Sequence, residues 1–129
     1  MPLNLSAVGK TTAELVHTYT WKDVVLYALS IGAKRDGELA YLFEGEGPKV
    51  FPSYAVVPAF IANAALFDAI GGNMLGVVHG GQAIRLHKPF APAGTLKTVG
   101  KVAGVYDLKR MATTILTTET RDEKGELVC

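Results

Sequence analysis

The chain has 129 residues, of which 49% are hydrophobic and 19% charged, and its formal net charge is +1. This length suits one domain with a real core, and the balanced charge argues against a dedicated nucleic-acid binder. The single cysteine, Cys129, excludes an intrachain disulfide and fits a reducing compartment. The first residues lack the apolar run of a signal peptide, and the last three are not a Ser-Lys-Leu signal. We therefore expect an intracellular protein, cytoplasmic or peroxisomal.

The first predicted element is a helix that begins near Thr20. Thr20 can cap it, and Asp23 stands where a carboxylate can bond back to the cap. Apolar residues then recur at helical spacing until Gly32 supplies a stop. Asp36 and Gly37 predict a turn, and residues 41–43 predict a short strand.

A second helix is predicted over residues 59–70, after a loop at 45–48. Pro58 suits its first turn, and the glycine pair at 71–72 ends it. Its residues are apolar almost all round, which predicts a fully buried helix. Residues 50–67 carry no charge and approach the length of a membrane span, but Pro52 and Pro58 interrupt them. The pattern therefore favours a buried helix in a soluble core.

The second half of the chain is predicted to form strands. They cover residues 82–88, 96–106 and 112–120, and a hairpin turn is predicted at 122–125. Residues 126–129 then begin a last strand. The sequence thus predicts an α+β domain in which an antiparallel sheet wraps a long helix.

The most telling motif joins His79, Gly80 and Gly81 to a strand-like run that stops at Pro89. A turn at 91–94 then leads into the next strand. With the blocks at 19–33, 38–45, 51–57, 105–107 and 125–129, this order resembles the N-terminal half of the (R)-specific enoyl-CoA hydratases of the MaoC-like family. The resemblance implies a single hot-dog domain over residues 1–129, its last strand cut short, and a hydratase acting on acyl-CoA thioesters.

The catalytic signature of that family is absent from the sequence. The family uses an Asp and a His with Asn-Pro between them, and this chain has no Asn-Pro and no Asp followed shortly by His. The catalytic pair normally lies in the other half of the enzyme. Whether this chain is itself an enzyme is therefore left open, with no catalytic residue beyond a weak candidate, His79. The resemblance implies no metal or redox cofactor, and coenzyme A is part of the substrate.

The candidate substrate-binding residues fall into two groups. His79 can serve as a base or oxyanion donor beside the amides of Gly80 and Gly81, although a structural histidine at a tight turn is the favoured interpretation. An aromatic group can line an acyl tunnel or simply fill the core, and the two interpretations are equally supported. This group consists of Phe51, Tyr54 and Phe60. Two further histidines, His17 and His87, are expected at the surface.

Basic residues outnumber acidic ones between positions 81 and 110. They could attract the phosphates of coenzyme A, but ordinary solvated strand faces are the favoured interpretation. These residues are Arg85, Lys88, Lys97, Lys101, Lys109 and Arg110.

Three functional hypotheses remain. The first is a hydratase half or subunit that binds the acyl part of the thioester and supports a catalytic half. The second is a hot-dog acyl-CoA thioesterase, in which a His-Gly-Gly motif opens the central helix and a carboxylate follows. The third is a non-enzymatic partner subunit. We also predict self-association, at least to a dimer, because one small sheet can only partly cover so apolar a helix.

Overall fold

The computed structural model describes residues 3–129, apart from the side chains of residues 46 and 74. The elements are β1 (Leu15–Tyr19), α1 (Trp21–Ser30), α2 (Arg35–Glu38), α3 (Val56–Ile70), β2 (Gly94–Asp107) and β3 (Ala112–Arg121). The three strands form one antiparallel sheet in the order β1-β2-β3. Single 3₁₀ turns lie between them, and the one at Pro52–Ala55 leads directly into α3.

The start of α1 has the predicted capping box. The Asp23 carboxylate accepts a 2.8 Å hydrogen bond from the Thr20 backbone N–H, and this bond lowers the pKa of Asp23 below its usual value. Gly32 follows the helix with a φ of 94°, which a residue with a side chain rarely adopts. Both predicted ends of this helix are confirmed.

Helix α3 packs one stripe against the sheet. Ala62, Leu66 and Ile70 are buried, and the backbone of Gly100 in β2 lies so close that an added Cβ would come within 3.2 Å of the Ala62 carbonyl oxygen. The opposite side is uncovered, since the Phe60 side chain is 71% exposed. The prediction of a helix buried all round is therefore wrong, because one three-stranded sheet covers only one side.

The segment Pro52–Ile70 is, within residues 3–129, the one helical stretch long and apolar enough to cross a bilayer by length and composition. Core helices of soluble proteins pass the same test, and the buried stripe of α3 packs on the sheet.

Strands β2 and β3 confirm the two longest strand predictions. They pair antiparallel from Lys97↔Arg121 to Asp107↔Ala112, and the register shifts once between Val102 and Gly104. Such a shift accommodates one extra residue and bends the strand. Two core clusters lie under the sheet, one around Tyr54 and Phe90 and the other around residues such as Leu66, Ile70 and Val102.

Two local predictions are wrong, and one strand was missed. Residues 41–43 do not form a strand, because the backbone amides of Leu42 and Phe43 bond back to the Leu39 carbonyl in a 3₁₀ turn. Residues 82–88 do not form a strand either. In the part of the chain that the structure describes, no backbone hydrogen bond holds residues 77–86, and residues 77–85 are all exposed. We call residues 77–85 the edge segment. Strand β1 was not predicted, although it pairs along β2.

The chain's last residues extend the sheet irregularly. The predicted hairpin turn forms at Asp122–Gly125, where the Gly125 amide donates to the Asp122 carbonyl at 2.9 Å. The amide of Val128 then donates to Thr120 of β3, while the carbonyl of Val128 accepts from the amide of His87 at 2.8 Å. The end of the edge segment therefore reaches the sheet through Val128.

Candidate functional site

His79 lies in the edge segment with an exposed ring. Its Nε2 lies 2.9 Å from the Gly81 carbonyl oxygen. A carbonyl oxygen only accepts, so Nε2 donates in this contact and Nδ1 is left as an acceptor. No described carboxylate hydrogen-bonds to the ring, and Asp68, an acidic residue near the end of α3, is exposed. The arrangement holds no histidine–carboxylate pair, which general acid–base catalysis usually needs to orient the ring.

Gly80 and Gly81 are not required by the fold of this chain. A Cβ added to either residue would meet no heavy atom within 4 Å, and neither residue has a positive φ that strains a side chain. The backbone at both positions is therefore open on the side where a side chain would project.

Tyr54 is the centre of an aromatic cluster. Its side chain is 1% exposed, and its ring packs against Tyr19 at 5.3 Å, Tyr27 at 5.4 Å and Phe90 at 5.7 Å between centroids. Burial, followed by the charge of Asp23, raises the pKa of Tyr54 to about 12. Its hydroxyl is therefore neutral at physiological pH, where it can donate a hydrogen bond but cannot act as a base.

The remaining aromatic candidates lie apart from Tyr54's core position. Phe51 stacks on Tyr41 with 3.9 Å between ring centroids, and Phe60 projects from the uncovered side of α3. His17 is half-buried, because its Nε2 lies 3.3 Å from the Tyr54 hydroxyl and its ring stacks on Tyr19. The expectation of a surface His17 is wrong, and the cause is that β1, not a loop, carries it beneath the aromatic cluster. His87 is exposed, as predicted.

A cleft lies where the turn at residues 91–94 meets the hairpin turn at Asp122–Gly125. It has a volume of about 260 Å³, which is small beside the roughly 300–1,000 Å³ of typical ligand sites. Its apolar lining includes Tyr19, Phe90, Leu96 and Val128, and Lys88, Asp122 and Glu123 supply charges. None of Phe51, Tyr54 and Phe60 lines it. Sequence reasoning missed this cleft, although Phe90 between two prolines was an available signal.

Lys88 carries the strongest electrostatic contacts of this region. Its ammonium group forms ion pairs with both Asp122 and Glu126. The hydrogen bond that the Lys88 ammonium donates to the Asp122 carboxylate raises the pKa of Lys88 and lowers the pKa of Asp122. Lys97 pairs with Glu14 at 3.4 Å on the other side of the sheet. Two of the six predicted phosphate-attracting cations are therefore held by carboxylates.

Metal and thiol chemistry find little support in residues 3–129. No group of three His, Cys, Asp or Glu side chains lies close enough there to hold a metal ion. Cys129 is half-buried, and this burial raises the pKa of its thiol. A raised pKa lowers the thiolate fraction, which is the reactive form.

A long helix packed on an antiparallel sheet is the geometry of a hot-dog domain. The family model of the MFE-2 hydratase 2 N-terminal domain matches residues 17–129. The chain belongs to this family.

Known proteins agree with this assignment. The chain is 37% identical over 112 residues to the 3-hydroxyacyl-thioester dehydratase Y of Mycobacterium tuberculosis, a match that covers 83% of this chain and 37% of that protein. The structure of full-length peroxisomal multifunctional enzyme type 2 from Drosophila melanogaster matches with a TM-score of 0.77 and 27% identity, over 89% of this chain and 21% of that one. The chain thus spans about a third or less of the length of these relatives.

A third comparison concerns the fold alone. The HadBC complex of Mycobacterium tuberculosis, described as a 3R-hydroxyacyl-ACP dehydratase, matches with a TM-score of 0.76 at 14% identity, over 95% of this chain and 90% of that chain. The hot-dog prediction and the predicted resemblance to the MaoC-like hydratases are confirmed.

Proposed function

We propose that this chain is the N-terminal hot-dog half, or a subunit, of an (R)-specific 2-enoyl-CoA hydratase that supports a catalytic half. The observation that carries the proposal is the edge segment, whose backbone has no partner within residues 3–129. Unpaired backbone groups at a sheet edge are a template for another sheet. Residues 82–85 also line a small hollow with Ala55 and Ala59, next to the start of α3.

The chemistry of the reaction assigns this chain a supporting role. Water addition to a trans-2-enoyl thioester needs a base for the water, an acid for the α-carbon and a donor for the enolate oxygen. His79 lacks a carboxylate partner among the described residues, so the catalytic pair comes from the other half. The amides of Gly80 and Gly81 are unobstructed and are candidates for contact with the substrate.

The acyl part of the thioester is proposed to lie along the uncovered side of α3. Phe60 and Ile61 are exposed apolar residues on this side, and covering a side chain of this size contributes about 1.5–3 kcal/mol. Phe51 and Tyr54, at the 3₁₀ turn before α3, remain predicted residues of the acyl-binding site. Coenzyme A enters as part of the substrate, and no metal or redox cofactor is proposed.

The proposed location is intracellular, cytoplasmic or peroxisomal. A peroxisomal name among the similar proteins supports the second choice. We also propose that α3 is a core helix and not a membrane span, because its buried stripe already has the sheet as its partner.

The activity of the isolated chain tests the proposal directly. Purified protein is assayed with crotonyl-CoA and with a longer 2-enoyl-CoA, and we expect no measurable hydration by either assay. Turnover within tenfold of an ordinary enzyme, roughly 10 per second, would overturn the supporting role. If turnover appears and His79→Ala abolishes it, His79 is the base.

The binding surface is tested with the acyl chain as the variable. Phe60→Ser should weaken binding of a long-chain enoyl-CoA to the assembled protein more than binding of crotonyl-CoA. Ile115→Ser is the matched control, because Ile115 is also exposed but lies on β3. Equal losses in the two variants would contradict a binding role for the uncovered side of α3.

Self-association tests the partner surface. Sedimentation equilibrium at micromolar concentration should show at least a dimer, in which a second copy takes the place of the catalytic half. A clean monomer at the chain mass of 13.7 kDa would sink the docking proposal.

The thioesterase alternative is disfavoured by the position of the motif. His79, Gly80 and Gly81 lie in the irregular edge segment, whereas the central helix α3 ends at Ile70. The motif therefore does not open a helix that could carry a catalytic carboxylate. A non-enzymatic partner subunit differs from the main proposal only in the activity of the complex, and reconstitution with a catalytic half decides between them.

A further inference from the structure

Lys88 stands at the point where the exposed part of the chain becomes fixed. On its N-terminal side the whole edge segment is exposed and without backbone hydrogen bonds among residues 3–129. On its C-terminal side Phe90 is buried in the aromatic cluster, and the Tyr19 hydroxyl donates a 2.7 Å hydrogen bond to the Ala91 carbonyl. The degree to which the edge segment is ordered therefore depends on the contacts that hold residues 86–88.

Three kinds of contact hold this short stretch, the first being the packing of Leu86 against the core cluster around Tyr54 and Phe90. The amide of His87 donates to the Val128 carbonyl, and the ammonium group of Lys88 bridges Asp122 and Glu126. Asp122 is itself fixed, because its Oδ1 accepts from the backbone amides of Lys124 and Glu126 at 2.9 Å. At least one of the two carboxylates that bind Lys88 is thus held by the hairpin turn.

We infer that Lys88 is a positioning residue that clamps the end of the edge segment to the hairpin turn and so presents residues 77–85 to a partner hot-dog. The inference rests on the proposed function, because the partner is the one proposed there. Lys88 then sets the direction in which the edge segment leaves the sheet.

The energetics favour a local effect over a global one. Partly exposed ion pairs contribute little to the stability of a whole domain. The edge segment, however, has few other anchors, and segments of this kind open at a small free-energy cost. A modest contact next to the edge segment therefore changes the population of the ordered segment.

Hydrogen exchange on the isolated chain tests the clamp without any partner. Lys88→Met should lower the protection of the His87 amide, which donates to the Val128 carbonyl, about fivefold, the range expected for two partly exposed ion pairs. Lys88→Arg should keep the protection. Lys97→Met is the matched control, since it breaks the separate ion pair with Glu14. Unchanged protection of the His87 amide in Lys88→Met overturns the clamp.

Sedimentation equilibrium of the same four proteins tests the presentation of the edge. The dissociation constant of the dimer should be about fivefold higher for Lys88→Met than for the wild type. Lys88→Arg and Lys97→Met should have dissociation constants close to that of the wild type. If exchange changes but dimerisation does not, the clamp exists and its role in docking is wrong. A wild-type monomer at every concentration overturns the docking role together with the proposed function, while the exchange result still decides the clamp. An equal fall in thermal stability and dimerisation for Lys88→Met and Lys97→Met would reduce Lys88 to an ordinary stabilising residue.

Discussion

Two regions of the molecule contain similar residues but differ in burial. One is the contact between α3 and β2, which is buried, and the other is the edge segment, which is exposed. Ala62, Leu66 and Gly100 are in close contact within the core, whereas Val78 and Gly80, equally small or apolar, are exposed. The difference lies in the backbone, because β2 pairs on both sides while the edge segment pairs on neither among residues 3–129. Apolar composition therefore indicates surface that needs covering, and strand pairing decides whether this chain covers it.

The largest expected effect comes from truncating one apolar residue in each region. Leu66→Ala should reduce the free energy of unfolding by about 3 kcal/mol, because it leaves a cavity between helix and sheet. Val78→Ala should change it by less than about 0.5 kcal/mol, since the Val78 side chain is 86% exposed. Urea unfolding of the monomer measures both. Comparable losses would show that the edge segment is packed in solution.

The sequence predicted the elements whose signals are local. The Thr20 and Asp23 capping box, the glycine after α1 and the strand at residues 96–106 each reflect the immediate neighbours in the chain, and each was confirmed. The fold family followed from the order of several such blocks. Local signals also placed the hairpin turn at Asp122–Gly125.

The wrong predictions concern contacts between residues that are far apart in the sequence. Residues 82–88 alternate like a strand, but alternation describes two faces and says nothing of a hydrogen-bonding partner. His17 was expected at the surface because β1, which carries it under Tyr54, has only five residues and no strong pattern. The cleft beside Lys88 joins residues more than thirty positions apart, so Phe90 between two prolines indicates one wall and no spacing in the sequence gives the residues opposite it.

A smaller effect is expected from adding a methyl group at one glycine of each region. Gly100→Ala should cost about 1–3 kcal/mol by overpacking, because its new Cβ would lie 3.2 Å from the Ala62 carbonyl oxygen. Gly80→Ala meets open space and should be neutral or stabilising by up to about 1 kcal/mol. Chemical denaturation of both variants compares the regions at constant chemistry. A destabilised Gly80→Ala would contradict the open geometry of the edge segment.

The smallest effect is expected from removing the hydrogen bond that the Tyr19 hydroxyl donates to the Ala91 carbonyl. Tyr19→Phe removes the hydrogen bond to Ala91, at a cost of about 1 kcal/mol at neutral pH. Burial, followed by Glu123 and Asp122, raises the pKa of Tyr19 to about 12. The unfolded chain therefore releases this proton at lower pH than the folded one, so the stabilisation is complete below pH 10 and is lost between about pH 10 and 12.

Denaturation curves at several alkaline pH values measure this loss. The wild type should lose stability more steeply above pH 10 than Tyr19→Phe. Tyr106→Phe, at an exposed tyrosine of β2, is the control for general alkaline effects. Identical slopes for wild type and Tyr19→Phe would show that the hydroxyl titrates freely and is not held at Ala91.

The exposed edge segment also makes the chain divisible. Arg85 ends it, and a protease such as trypsin cuts most readily at exposed, weakly bonded backbone of this kind, whereas the next basic residue, Lys88, is shielded by Pro89. A nick there leaves one fragment with β1 and α3 and another with β2 and β3. Each cluster of the core draws on both fragments, since Tyr54 packs on Phe90 and Leu66 packs beside Val102. Neither fragment can bury its apolar surface alone, so residues 1–85 and 86–129 form a natural pair for fragment complementation.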